Sequence, residues 1–152
     1  MLFLLVMGVI DFGMILNNQS SLRQVTRTVA RDVTIDSVDH DGICQNYVDG
    51  ADSYNVQSKA VICEVKEQLG GEPDTNRVKV VFPEVEGQTR RDKVIVCAQQ
   101  PMRSLSGMFS SMVDDKVISA SVVMRIEIEP DDDKADDVQE TPLTGTDWTW
   151  CS

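Results

Sequence analysis

Residues 1–36 read as one unbroken helix whose first half suits lipid and whose second half suits water. Residues 2–16 are apolar apart from Asp11 and the small Gly8 and Gly13, and no Pro interrupts the chain from there to Asp36. The polar pair Asn17-Asn18 marks the change of solvent. Beyond it Leu22, Val25, Val29 and Val33 recur at helical spacing, while Arg23, Arg27 and Arg31 line a different face at i, i+4 and i+8. That Arg stripe reads either as a contact for acidic groups of a neighbouring chain or as a solvated helix face.

The apolar part is short for a membrane span. Its fifteen residues at a rise of about 1.5 Å cover roughly 22 Å, against a hydrocarbon core of about 30 Å. A secretory signal would place a basic region before the run and a small-x-small cleavage site after it, and neither is there. A carboxylate at membrane depth costs about 2.5 to 3.5 kcal/mol on insertion scales and is kept for a reason. The expectation is a retained membrane helix of which this chain carries the later part.

Behind the helix the sequence reads as a small α+β unit over residues 37–129. A loop rich in Asp and Gly covers residues 37–50, and residues 52–69 form a helix stopped by Gly70-Gly71. Val78, Val80 and Phe82 alternate with Arg77, Lys79 and Val81 as a strand ended by Pro83, and a charged turn leads to a second strand at 93–98. Met102, Leu105, Met108, Phe109 and Met112 fall on one helical face, read as core packing against the sheet. Residues 117–129 form the longest strand, with Val122, Met124, Ile126 and Ile128 in alternation. Residues 130–152 then comprise an acidic, solvated linker to 142 and a C-terminal segment, 147–151, in which Trp148 and Trp150 dock on the domain.

Cys44, Cys63, Cys97 and Cys151 lie far apart with no C-x-x-C spacing, which disfavours zinc and redox motifs. An even number behind a membrane helix points to two disulfides in an oxidising compartment. Of the three connectivities the favoured one joins Cys44 to Cys63, pinning a loop to the helix after it, and leaves Cys97 for Cys151. Residues 1–36 hold three Arg against three Asp, so the whole formal charge of −11 belongs to the remainder. Such a domain does not seek nucleic acid or anionic lipid headgroups, because attraction to phosphate needs a basic surface.

No chemistry stands out. His40 is the one histidine and sits in a loop; Ser37, Asp39 and Asp41 with Gly42 resemble a calcium loop, but the twelfth position is Val48 where a bidentate Glu is required. Opportunistic calcium binding by Asp39, Asp41 or the run at 131–133 stays open. There is no phosphate-binding glycine loop, no G-x-S-x-G and no H-E-x-x-H. Neither an enzyme, nor a cofactor, nor a small-molecule substrate is expected.

The step Gly8-Val9-Ile10-Asp11-Phe12-Gly13, followed by a polar helix ending Val29-Ala30-Arg31, resembles the N-terminal signature of TadE-like minor pilins of the tight adherence (Tad/Flp) pilus system. The run 122–127, with its Arg125-x-Glu127 ending, resembles that family's last strand. The resemblance implies a pilin-like architecture and an assembly helix carrying Gly8, Asp11, Phe12, Gly13, Arg23, Arg27 and Arg31. It also implies a prepilin-peptidase site upstream, partnership with other pilin subunits and the assembly machinery, and a place in the cytoplasmic membrane before the cell-surface pilus. Asp11 would then meet a donor or cation from another chain. The competing reading is a bitopic membrane protein that displays a recognition domain.

Overall fold

The computed structural model describes residues 2–35, 56–69, 75–83, 93–114, 116–126 and 137–151. Helix α1 runs without interruption over Leu2–Thr34, straight through Asn17-Asn18. Helix α2 spans Val56–Leu69, and a one-turn helix α3 spans Ser110–Val113. Strands β1 (Arg77–Val81), β2 (Lys93–Pro101), β3 (Val117–Arg125) and β4 (Val138–Gln139) form one antiparallel sheet in the order β3-β2-β1-β4.

The period-two pattern sorts the sheet into two faces. Val78 pairs with Ala98 and Val80 with Val96, while Ala98 and Val96 pair across β2 with Ala120 and Val122. These residues share one face, and α1 and α2 cover it with Leu22, Val25, Val29, Val33, Val61, Ile62 and Val65, all buried. Here the helical spacing of the outer half of α1 is realised as core packing, and Arg23, Arg27 and Arg31 are left exposed on its other side. The helix is thus one rod with two jobs. Its last four turns belong to the domain.

The opposite face carries Ile95, Cys97 and Gln99, and the C-terminal segment folds onto it. Cys97 is bonded to Cys151 with their Cα atoms 6.0 Å apart, and Trp148 is buried beside them with Trp150 packed against the group. The segment is a tight turn, with the Cys151 amide donating to the Trp148 carbonyl at 3.0 Å. The Asp147 carboxylate accepts the Thr149 hydroxyl at 2.7 Å and the Thr149 amide at 3.1 Å, bonds that hold its pKa below the ordinary carboxylate value. Because the folded-state value is the lower one, these bonds stabilise the turn above the unfolded-chain pKa and are lost as pH falls through the depressed value. Cys63 is also disulfide-bonded, while Cys44, the partner expected for it, lies outside the described residues, as do His40 and the loop resembling a calcium site.

Two expectations change. Residues 137–142 are not a bare solvated linker, because β4 pairs with β1 and buries Val138 against the core. The Glu140 carboxylate fixes that strand, accepting from Lys66 Nζ at 2.5 Å and from the Val78 amide at 2.8 Å. In addition, Asp137 accepts the Phe82 amide at 2.7 Å, so acidic side chains that look solvated in sequence serve as strand anchors.

Gln99 is the polar centre of the second face and is nearly inaccessible. Its Nε2 donates to the Asp147 carbonyl at 2.9 Å, while its Oε1 accepts the Leu143 amide at 3.2 Å and the Thr146 hydroxyl at 3.0 Å. Removing a buried amide leaves its partners unpaired, at about 1 to 3 kcal/mol. Gln99→Ala should therefore lower stability in urea by about 2 kcal/mol and expose residues 143–150 to protease while the disulfide still holds their end. An unchanged midpoint and cleavage pattern would show that the disulfide alone fixes the segment.

Candidate functional site

The first half of α1 stands apart from the core. Leu2, Phe3, Leu5, Val9 and Phe12 are all exposed, and Gly13 has nothing within 4 Å of the place a Cβ would occupy. Among the described residues no helix is long and apolar enough to cross a membrane. One face of this half is nevertheless covered, by residues of the stretch 104–109.

That cover is built around Asp11, which is only 5% exposed although it lies among exposed neighbours. Its Oδ1 accepts the backbone amides of Leu105 at 3.1 Å and Ser106 at 3.0 Å. Its Oδ2 accepts the hydroxyls of Ser104 at 2.8 Å and Ser106 at 2.6 Å. Four donors converge on one carboxylate, a set that fits an ionised rather than a protonated group. Three residues earlier on the same helix face, the Phe109 ring lies 3.8 Å from where a Gly8 Cβ would be, ordinary van der Waals contact. The segment is therefore seated by hydrogen bonding at Asp11 and by the Phe109 ring lying over the helix at Gly8.

Asp11 finds these four donors within its own chain, at a sequence distance of 93 to 95 residues. One expectation changes. The segment 102–112 is not a helix packed on the sheet, since only Ser110–Val113 is helical and no residue of that turn is buried. Its sheet-facing place is already filled by α1 and α2. Gly107 adopts φ +71°, a left-handed conformation that ends any helix begun before it, and Ser104 and Ser106 turn their donors to Asp11 instead. Leu105, Met108 and Met112 are left 63%, 46% and 71% exposed. The signal for this in the sequence is the serine and glycine spacing in 104–107, which supplies the donors a carboxylate on an apolar helix requires.

The remaining expected residues do not converge. Phe12 is 62% exposed on the uncovered side, and Arg23, Arg27 and Arg31 form an exposed stripe further along the helix. An open groove on the far face of the sheet runs between Gln99, Ser119, Asp147 and Trp150. Among the described residues no group of three or more His, Cys, Asp and Glu side chains is placed to hold a metal ion.

The helix is also where the comparison with known proteins falls. The profile of the TadE-like protein family matches residues 1–31, which contain the Gly8 to Gly13 step and all three Arg of the stripe. No curated protein and no solved structure matches the chain significantly.

Proposed function

We propose that this chain is a structural subunit of a tight adherence (Tad) pilus, a minor pilin that the apolar half of α1 holds in the cytoplasmic membrane with its folded domain outside. What supports the reading is the division of one continuous helix: its outer half is core of the domain, while its inner half presents Leu2, Phe3, Leu5, Val9 and Phe12 to the surroundings. Whatever takes up that half takes up the domain with it. A helix apolar enough for lipid exchanges lipid contacts for contacts with other subunits' helices at little net cost. Gly13 leaves space for close helix approach beside Phe12, and the Arg stripe faces outward where acidic groups of a neighbour can meet it.

The direct test is recovery of the tagged full-length protein from membranes and from filaments sheared off the cell surface. Pilus subunits should co-purify with it, and deletion should abolish surface piliation. A protein that stays in the membrane without pilus partners, in cells that remain piliated, would favour a displayed recognition domain instead. Reversing the stripe with Arg23→Glu, Arg27→Glu and Arg31→Glu should leave the fold within about 0.5 kcal/mol per site, as exposed substitutions do. Recovery of pilus components should fall several-fold while membrane retention is unchanged; equal recovery would make the stripe a solvated face.

A further inference from the structure

We propose that residues 104–113 are a second membrane contact of the folded domain: clasped to α1 by Asp11, they rest in the lipid interface and set the bilayer surface at the level of Asp11. The inference rests on the reading that the inner half of α1 enters a membrane, and adds which part of the domain goes with it and how deep.

Three observations carry it. The first is charge. In a chain with 26% charged residues, positions 104–113 hold none, and Arg103 and Asp114 bracket them. The second is exposure, because Leu105, Met108 and Met112 are exposed on a segment seated, through Asp11 and Gly8, on the same half of α1 that exposes Leu5, Val9 and Phe12. The third is the backbone. The amides of Leu105 and Ser106 donate to Asp11, that of Ser104 to Asp114 Oδ1, that of Gly107 to Ser104 Oγ and that of Met108 to Ser106 Oγ. Those of Met112 and Val113 donate to the Phe109 carbonyl, and that of Asp114 to the Ser110 carbonyl.

An irregular loop facing water has no need of such internal pairing, whereas one entering a low-dielectric layer does, since each unpaired backbone group there costs several kcal/mol. Exposed apolar side chains on an uncharged segment whose amides at 104–108 and 112–114 are paired, with carbonyls left for headgroups and water, fit the boundary between acyl chains and headgroups. The clasp also fixes the depth. Phe109 reaches Gly8, about 4.5 Å further into the membrane along the helix than Asp11. Residues 12–16 then lie in the headgroup layer, and the exit from hydrocarbon falls at Asp11 instead of at Asn17-Asn18. The carboxylate avoids the cost of bare insertion because the segment covers it at that level.

The experiment uses spin labels on the full chain in phosphatidylethanolamine–phosphatidylglycerol vesicles, with accessibility to oxygen, which concentrates in lipid, compared with accessibility to a water-soluble nickel chelate. Val6→Cys, Leu16→Cys, Met108→Cys, Met112→Cys and Val123→Cys place single labels, Val123 lying on the sheet face away from α1 beside Ile95. Labels at 6, 108 and 112 should favour oxygen, and those at 16 and 123 the chelate. Adding Asp11→Ala should shift the labels at 108 and 112 toward the chelate and leave the one at 6 unchanged. A label at 6 in lipid with labels at 108 and 112 in water would overturn the proposal and leave the membrane helix standing. Labels at 108 and 112 hidden from both reagents would assign the segment to a second protein copy, and a label at 16 deep in oxygen-rich lipid would overturn the boundary. A label at 6 in water would remove the membrane reading itself, and this proposal with it.

Discussion

Glu140→Ala should destabilise the folded domain by about 3 kcal/mol, the lower end of what breaking a buried ion pair costs. The carboxylate reads in sequence as the end of an acidic, solvated run, yet its side chain is 10% accessible and that of Lys66 only 2%. Through this pair α2 is tied to the sheet edge at β4, and its second oxygen holds the Val78 amide of β1. The substitution removes a charge partner from a buried ammonium and an acceptor from a backbone donor at once. The main-chain bond from the Glu140 amide to the Val78 carbonyl at 3.2 Å survives, which is why β4 should loosen without detaching. Urea unfolding followed by circular dichroism measures the loss, and the double change Lys66→Met with Glu140→Met should recover the share owed to the ion pair, because two apolar groups need no pairing, while the share owed to the Val78 amide remains. A loss below about 1 kcal/mol, the range of surface pairs, would mean that water reaches the ammonium.

The elements legible in sequence are those whose pattern is local. Val78, Val80 and Phe82 alternate because each inward side chain meets a helix, and Leu22, Val25, Val29 and Val33 repeat because the outer half of α1 lies on a sheet; period and burial coincide. Strand β2 extends to Pro101, beyond the expected 98, as Gln99 and Gln100 are drawn into the ladder opposite Ser119 and Ile118. Glutamines give no strand signal. Met102, Leu105, Met108, Phe109 and Met112 carry a helical period that the fold does not use, since hydrogen bonds to a residue more than ninety positions earlier outweigh local spacing. The same blindness hid β4. A two-residue strand with one inward side chain, Val138, has no periodicity, and what fixes it is Glu140 reaching Lys66 across 74 residues. On the functional side, Asp11 is legible as a residue kept on an apolar helix for a reason, and Gly8 only through the family resemblance of the Gly8 to Gly13 step. The identity of their partners is not, because nothing local to residues 8–13 specifies a loop a hundred residues downstream.

Asp11→Ala should release residues 104–109 from α1 while leaving the sheet intact. Of the amides in that stretch, Leu105 and Ser106 depend on Asp11 directly, and Gly107 and Met108 depend on it through the hydroxyls it orients, those of Ser104 and Ser106. Removing the carboxylate therefore takes away the anchor of the whole turn. Hydrogen exchange at these amides should quicken on the order of tenfold or more, the mark of local opening, while the amides of β1 and β2 keep their protection. Asp11→Glu should retain much of the protection, because the longer carboxylate still offers two acceptor oxygens. Asp11→Asn should retain less, since its amide group presents a donor either to the two serine hydroxyls or to the two backbone amides, all of which donate. Insertion of the helix into membranes should be unimpaired or better in the Ala variant, as a carboxylate at that depth is a cost whenever it is uncovered. Unchanged exchange in Asp11→Ala would mean that Phe109 on Gly8 seats the segment without help. Gly8→Leu would then be the variant that frees it, since a Cβ alone would already touch the ring at 3.8 Å and the leucine adds three carbons beyond it.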